Sequence, residues 1–341
     1  MGSEVITQAP IQTRENTTDR LERSFSILGA EALRCIVEAR YDQPLPRVDV
    51  WNTVGDKVEI DAQNYPGERE GYIQEQISTR YQILYNLWNI SPESRISIRD
   101  DSPEYKDIVL AELHRLREIG IITVQNRGLY VCQECEYPMA LVDSNGIDSC
   151  NHCGCSELDV VSHNVLMLSM PEEMKDDILS SDTIFPPSAK QRIRESVPQL
   201  PNEILISKYR GEGVDLQSLG VDEGFVLDPK ISLGLMGRVI EKMGIGDLRA
   251  VVQGRDSVRH LMPYIKTLDP ERNVSYITTC LLPLLTPDRI NDNNRHFYSP
   301  YLALASICST EEIDEQRLNQ MYTTWRRING KFDGVKPPLI E

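Results

Sequence analysis

Cys132, Cys135, Cys150 and Cys153 fall in one short polar stretch as C-x2-C…C-x2-C, with fourteen residues between the pairs. Nothing else in the chain constrains its folding as closely. Two residues between thiolates is the spacing of a tight knuckle that aims both sulfurs at one ion. Two such knuckles at the ends of a short hairpin make a tetrahedral four-sulfur site, the geometry of Zn²⁺ in structural sites. Asp143-Ser144-Asn145-Gly146 supplies turn chemistry between them. Four reduced core cysteines would have no reason to share one polar segment. A four-thiolate site has no open position, so the expected metal is structural and does no chemistry. Cys155 is a spare, and His152, between two of the thiols, is expected to point outward.

The chain has 341 residues, with 36 Lys and Arg against 52 Asp and Glu, a net charge of −16. That length suggests two or three structural units, or one large α/β core with an insertion. An acidic surface repels phosphate backbones, so tRNA is not expected as a partner; a patch at Arg115, Arg117, Lys190, Arg192 and Arg194 would be needed to bind it. No run of 18 apolar residues occurs, so no membrane partner is expected. The polar stretch Met1 to Asp19 carries no signal-peptide core. Scattered single thiols beside a zinc site fit a cytoplasmic location.

The apolar periodicity predicts an α/β chain. Glu4–Ala9 and Arg47–Asn52 read as strands flanking a helix marked by Leu21, Phe25, Leu28, Ala32 and Ile36. Ile73, Ile77, Tyr81, Leu84 and Trp88 stripe a second helix. Ser102-Pro103-Glu104 starts a third, with Gly120 as its C-cap. Residues 121–131 read as a hairpin turning at Asn126-Arg127-Gly128, and 185–203 as a connector. Leu233, Met236, Ile240 and Met243 stripe one helix, Leu248–Gln253 and Val274–Cys280 are strands, and 311–329 is a final amphipathic helix. The expected units are a first half-core at 1–71 and a helical connective segment at 72–127. A zinc ribbon at 128–170, a second half-core at 171–310 and a C-terminal helix and tail at 311–341 follow. The expected class is a Rossmann-type parallel sheet interrupted by a helical connective insertion with a zinc ribbon.

That layout, with the zinc-bearing stretch at 72–170, resembles the catalytic core of methionyl-tRNA synthetases among the class I aminoacyl-tRNA synthetases. Ile206-Ser207-Lys208-Tyr209-Arg210-Gly211-Glu212-Gly213-Val214 is similar to the family's I-S-R…W-G segment. Gly254-Arg255-Asp256-Ser257-Val258-Arg259 is similar to its G-K-D-I-x-R, where a glycine and an acid lie near the ATP ribose. The resemblance implies ATP with Mg²⁺ as cofactor and an amino acid or small molecule as substrate. Gly254, Asp256 and Lys208 are the implied nucleotide contacts. Asn52, where the family carries an acid for the substrate ammonium, and Asp228, kept from its W-F-D-A-P-I-G-Y stretch, are the implied substrate contacts.

The departures bear on activity. The family's H-I-G-H motif should open the helix near 22–27, where this chain reads Glu22-Arg23-Ser24-Phe25-Ser26-Ile27. Its K-M-S-K-S motif has no counterpart in Leu285 to Arg295. Losing preorganised groups that meet developing charge is expected to be severe, since one such donor is worth roughly 10²–10³ in rate. Ordinary methionine charging of tRNA is therefore not expected, and no residue is singled out as catalytic. Three expectations remain: amino-acid activation or ligation without tRNA decoding, a non-catalytic homologue that binds a small molecule or a protein partner, and, least favoured, a tRNA-binding accessory protein.

Overall fold

The computed structural model describes residues 4–279 except 14–25, 32, 36, 39–41, 89–92, 143–146, 182–183, 186, 255–257 and 273, and beyond that range Gln316 alone. Strand β1 (Glu4–Gln8) buries Val5, Ile6, Thr7 and Gln8 in succession. Strand β3 (Arg47–Asn52) buries Val48, Asp49, Val50 and Trp51 in the same way. Burial of consecutive residues means both faces of the sheet are covered, as in parallel sheets. Between them lie the short β2 (Ile11–Gln12) and helix α1, whose described residues are 26–31, 33–35 and 37–38.

The central sheet also contains β4 (Arg95–Arg99), β8 (Ile184–Phe185), β12 (Asp247–Gly254) and β13 (Ser275–Thr279). Its strands run β4-β3-β1-β12-β13-β8, with β2 extending the β1 side of β3, and every pair is parallel. The order reverses at β1: the chain moves outward to β3 and β4, then returns to the other side of β1 with β12. Helices α2 (Asp56–Gln63), α3 (Arg69–Trp88), α4 (Pro103–Glu118), α8 (Met236–Lys242) and α9 (Val258–Leu268) belong to this layer. Helix α4 is capped as its sequence predicts. The Ser102 hydroxyl accepts from the Tyr105 N–H, and Gly120 at φ +77° lets Ile121 N reach Leu116 O at 3.0 Å.

Between β4–α4 and β12 the chain builds a second layer. Strands β5 (Ile122–Cys132), β6 (Pro138–Leu141), β7 (Leu158–Ser169) and β9 (Glu203–Leu205) form an antiparallel sheet in the order β6-β5-β7-β9. Helices α5 (Glu172–Ser180) and α6 (Pro187–Ser196) follow β7. Strands β10 (Ser207–Tyr209) and β11 (Phe225–Leu227) make a two-stranded pair leading into α7 (Pro229–Gly234). One apolar core joins both layers, from Val48 and Val50 through Tyr105 and Leu113 to Leu166, Leu227 and Ile240. The architecture is thus mixed α/β, a parallel sheet with helices and an inserted antiparallel sheet.

Several expectations need correction. Residues 72–127 are not a purely helical connective segment, because Arg95–Arg99 is a strand of the central sheet paired along β3. Asn126-Arg127-Gly128 does not turn. Strand β5 runs straight through it, pairing with Asn164, His163 and Ser162 of β7. Gly128 serves close packing there, since a Cβ would sit 3.2 Å from the Val160 side chain. The connector at 185–203 contains α6, which buries Ile193, with Val197 buried just beyond it. The stripe Leu233–Met243 is carried by two short helices, α7 and α8, that meet at Leu235. The turn at 143–146 and the helix at 311–329 lie outside the described residues, Gln316 excepted.

Candidate functional site

The two cysteine pairs sit in matching loops. After Cys135 comes Glu136 at φ +56°, whose N–H bonds to Cys132 O at 2.9 Å; after Cys153 comes Gly154 at φ +81°, bonded to Cys150 O at 2.9 Å. Each loop therefore folds back so that both its sulfurs face one point. All four sulfurs lie within 4.8 Å of one another. Across the loops, Cys132 Sγ is 3.5 Å from Cys153 Sγ, and Cys135 Sγ is 3.6 Å from Cys150 Sγ. A tetrahedron with Zn–S bonds near 2.3 Å has sulfur–sulfur edges of about 3.8 Å, so the four thiols fit such an ion. The N–H of Cys135 bonds to the Cys132 sulfur and leads the influences that lower this thiol to about 6, favouring the thiolate a metal requires. These four residues could hold a metal ion.

The cysteine cluster is tied to a charged site by stacked rings. His152 stacks on Tyr137 at 5.3 Å and 9°, so it faces an aromatic ring. Tyr137 meets Tyr209 edge-on at 6.0 Å, and Tyr209 meets Phe225 at 5.5 Å. Tyr209 lies between Lys208 and Arg210, the basic residues that follow from the segment Ile206–Val214. Lys208 Nζ bonds to Asp56 Oδ2 at 3.1 Å and lies 3.2 Å from Asp228 Oδ2. Burial opposes the Lys208 charge, but the two carboxylates outweigh it and raise its pKa. Arg210 donates to Val54 O and to Asp56 Oδ1. Asp228 is the N-cap of α7, accepting from Lys230 N at 2.9 Å.

Asn52 ends β3 with its Oδ1 buried and unpartnered. Gly55, which precedes Asp56, packs on that amide. The structure thus brings Lys208 and Asp228 into direct contact and sets Asn52 four residues before their partner Asp56. Gly254 ends β12, paired with Thr279 of β13 and separated from β3 by β1. Asp256 lies outside the described residues, as do Leu285 to Arg295 and, apart from Ser26 and Ile27, the stretch 22–27.

Asp100, one residue beyond β4, was not anticipated as a site residue. Its Oδ1 accepts from the Thr53 N–H and the Thr53 hydroxyl, both at 2.7 Å, and its Oδ2 has no partner. Complete burial pushes this carboxyl up to about 7 against those two hydrogen bonds. The only sequence signal was the acidic pair Asp100-Asp101 before the Ser102 cap. Asp101 is instead paired, bound by Arg99 and Arg69.

The central parallel sheet is interrupted after β4 by the inserted antiparallel layer, and solved structures share this mixed α/β fold. A Mycobacterium tuberculosis methionyl-tRNA synthetase in complex with methionyl-adenylate matches at TM-score 0.59 and 14% identity, covering 89% of this chain and 63% of that one. A second structure of that synthetase, also bound by methionyl-adenylate, matches at TM-score 0.60 and 14% identity, over 95% and 68%. Its apo form matches at 0.53 and 13%, over 93% and 65%. At these identities the likeness is one of fold, a distant structural relationship. The chain spans about two thirds of the length of those synthetases. No protein-family model and no curated protein matches the sequence.

Proposed function

We propose that this protein binds a nucleotide and an amino acid at the C-terminal edge of its parallel sheet, and activates or joins amino acids without reading tRNA. One observation carries the reading: the strand order reverses between β1 and β12. Ligands of open α/β sheets bind in the crevice at such a reversal, beyond the carboxyl ends of the strands. Gly254 ends β12 there, where the absence of a side chain lets backbone approach phosphate or ribose, and Asp256 follows it. Methionyl-adenylate, bound in the similar synthetases, is an amino acid joined to a nucleotide. ATP with Mg²⁺ is the cofactor, with Gly254 and Asp256 as its contacts. Activation in this form joins a carboxylate oxygen to the α-phosphorus while the bond to the leaving pyrophosphate breaks. Zn²⁺ is the ion we assign to the four cysteines, where it holds the knuckles and, through Tyr137 and Tyr209, the β10–β11 pair.

A second reading is favoured by Lys208. Its ammonium already lies between Asp56 and Asp228, where an arriving cation would find both carboxylates engaged. A non-catalytic homologue that takes a small molecule or protein partner would tolerate that arrangement. Pyrophosphate exchange, run on zinc-loaded protein against each of the twenty amino acids, separates the two. Exchange with any of them, lost in Asp256→Ala, is the expected result. ATP binding without exchange would establish the non-catalytic reading.

A further inference from the structure

A groove of about 750 Å³ opens on one face of the inserted antiparallel sheet, between the first cysteine knuckle and the β10–β11 pair. Strand β7 is its floor. Asp159, Val161 and His163 alternate with Val160 and Ser162, so all three share the face that lines the groove. Val131 of β5, opposite Asp159, continues that face. Four residues of strand at about 3.3 Å each make the floor roughly 13 Å long.

Tyr209 forms a wall. Its ring meets Phe225 and Tyr137 edge-on, and Phe225 in turn packs against His163. Gly224, at φ +83°, lies against the ring and leaves no room for a Cβ. The ring is therefore held in place, yet 39% of Tyr209 stays exposed. A fixed aromatic face open to solvent offers apolar surface and attracts cations.

The charges sit at the two ends. Glu136 closes the loop that begins at Cys132, and Cys132 pairs with Leu158, the residue before Asp159, so both acids belong to the knuckle end. Glu223 belongs to the other end. It follows Asp222, whose Oδ2 accepts from Asn164 N at 3.1 Å and lies 3.1 Å from His163 Nδ1. No Lys or Arg lines the groove, and among the described residues none of these three lining acids has an ion-pair partner. Asp159 accepts from Gln133 Nε2 at 2.8 Å, which steadies one oxygen and leaves the other able to accept.

This pattern is selective. An anion would meet carboxylates and no cation. An uncharged apolar ligand would strip water from the acids and put nothing in its place. One metal ion cannot bridge acids at opposite ends of the floor. A methylene chain with an ammonium at each end satisfies both the ends and the middle.

We propose that this groove binds one linear aliphatic polyamine, with its terminal ammonium groups at the Asp159–Glu136 and Glu223 ends and its methylenes along Val161 and Tyr209. None of the residues assigned to the nucleotide or the amino acid lines the groove, so the proposal stands independently of the functional reading above.

The test is calorimetric titration of the full zinc-loaded chain with spermidine, and with n-butylammonium as the single-charge probe. Saturable one-to-one binding of spermidine is expected, at least about tenfold tighter than n-butylammonium. Asp159→Asn combined with Glu223→Gln should weaken it by about tenfold, the scale of two exposed ion pairs worth a few-fold each. Glu136→Gln, outside the strands, should weaken it by a few-fold and serves if the double variant does not fold. Asp176→Asn combined with Asp177→Asn removes the same charge from an exposed stretch of α5 and should leave the affinity unchanged. Equal weakening by the two double variants would mean diffuse attraction to an acidic chain and would overturn the proposal. So would the absence of saturable spermidine binding, or n-butylammonium bound as tightly as spermidine.

Discussion

At the scale of single residues, Asp100 makes a signed prediction. Its carboxyl keeps its proton to about pH 7 when folded, well above the usual carboxylate range. Between roughly pH 4 and pH 7 the folded state therefore holds a proton that the unfolded chain has released, and stability falls as pH rises through that window. The full effect is bounded at about 4 kcal/mol, from three units at 1.36 kcal/mol each. Asp100→Asn should remove this slope, so its stability relative to wild type rises from pH 4 to pH 7 in denaturant titrations. Parallel pH profiles for the two proteins would contradict it. Lys208 gives the opposite kind of case. It is about a third exposed, so solvent screens its contacts with Asp56 and Asp228. Lys208→Met should cost less than about 1 kcal/mol in a thermal melt, and a larger loss would mean the pair is more deeply held than its exposure implies.

Among the elements, the caps of α4 were readable from sequence and should behave locally. Gly120 has φ +77° and open space where a Cβ would go, so Gly120→Ala should cost only the backbone penalty, about 1 kcal/mol. Strands β1, β3 and β12 were equally legible, because each carries its own periodicity or flanking signals. What could not be read was set by distant partners. Strand β4 is short with an arginine at each end, and the Arg95 side chain is buried because Asp49, on β3, accepts from its guanidinium at 2.6 and 2.7 Å and Glu31 at 2.8 Å. Asn126-Arg127-Gly128 has turn composition, yet β7 supplies a full-length partner from more than thirty residues away. The proline-rich stretch 185–203 hid α6, whose helix begins at Pro187, where a proline loses no helical hydrogen bond. The site divides the same way. Cysteine spacing is local and was visible, whereas the burial of Asp100 and the grip of Arg210 on Asp56 arise only when β4, α2 and β10 come together. The ring contacts from His152 to Phe225 predict that metal loss is not confined to the knuckles. Chelation, or Cys132→Ser with Cys135→Ser, should speed hydrogen exchange in β5, β6 and the β10–β11 pair while β1, β3 and β12 stay protected. Uniform loss of protection would place the metal in the main fold instead.

For the molecule as a whole, the parallel sheet and the inserted layer share one core, and the candidate residues gather where the insertion returns to the sheet. Lys208 comes from β10 and Arg210 from the residue after it, Asp228 caps α7, Asn52 ends β3 and Asp100 follows β4. Motif departures in this chain bear on how fast chemistry would run, and leave the reversal of strand order that makes the crevice. The central claim is that this crevice binds a nucleotide. It is tested most directly by calorimetric titration of the zinc-loaded protein with ATP and Mg²⁺. The account predicts saturable binding at micromolar to millimolar ATP, about −8 to −4 kcal/mol, weakened by Asp256→Ala and by Gly254→Val. No heat at millimolar ATP, or binding that both variants leave unchanged, would contradict it.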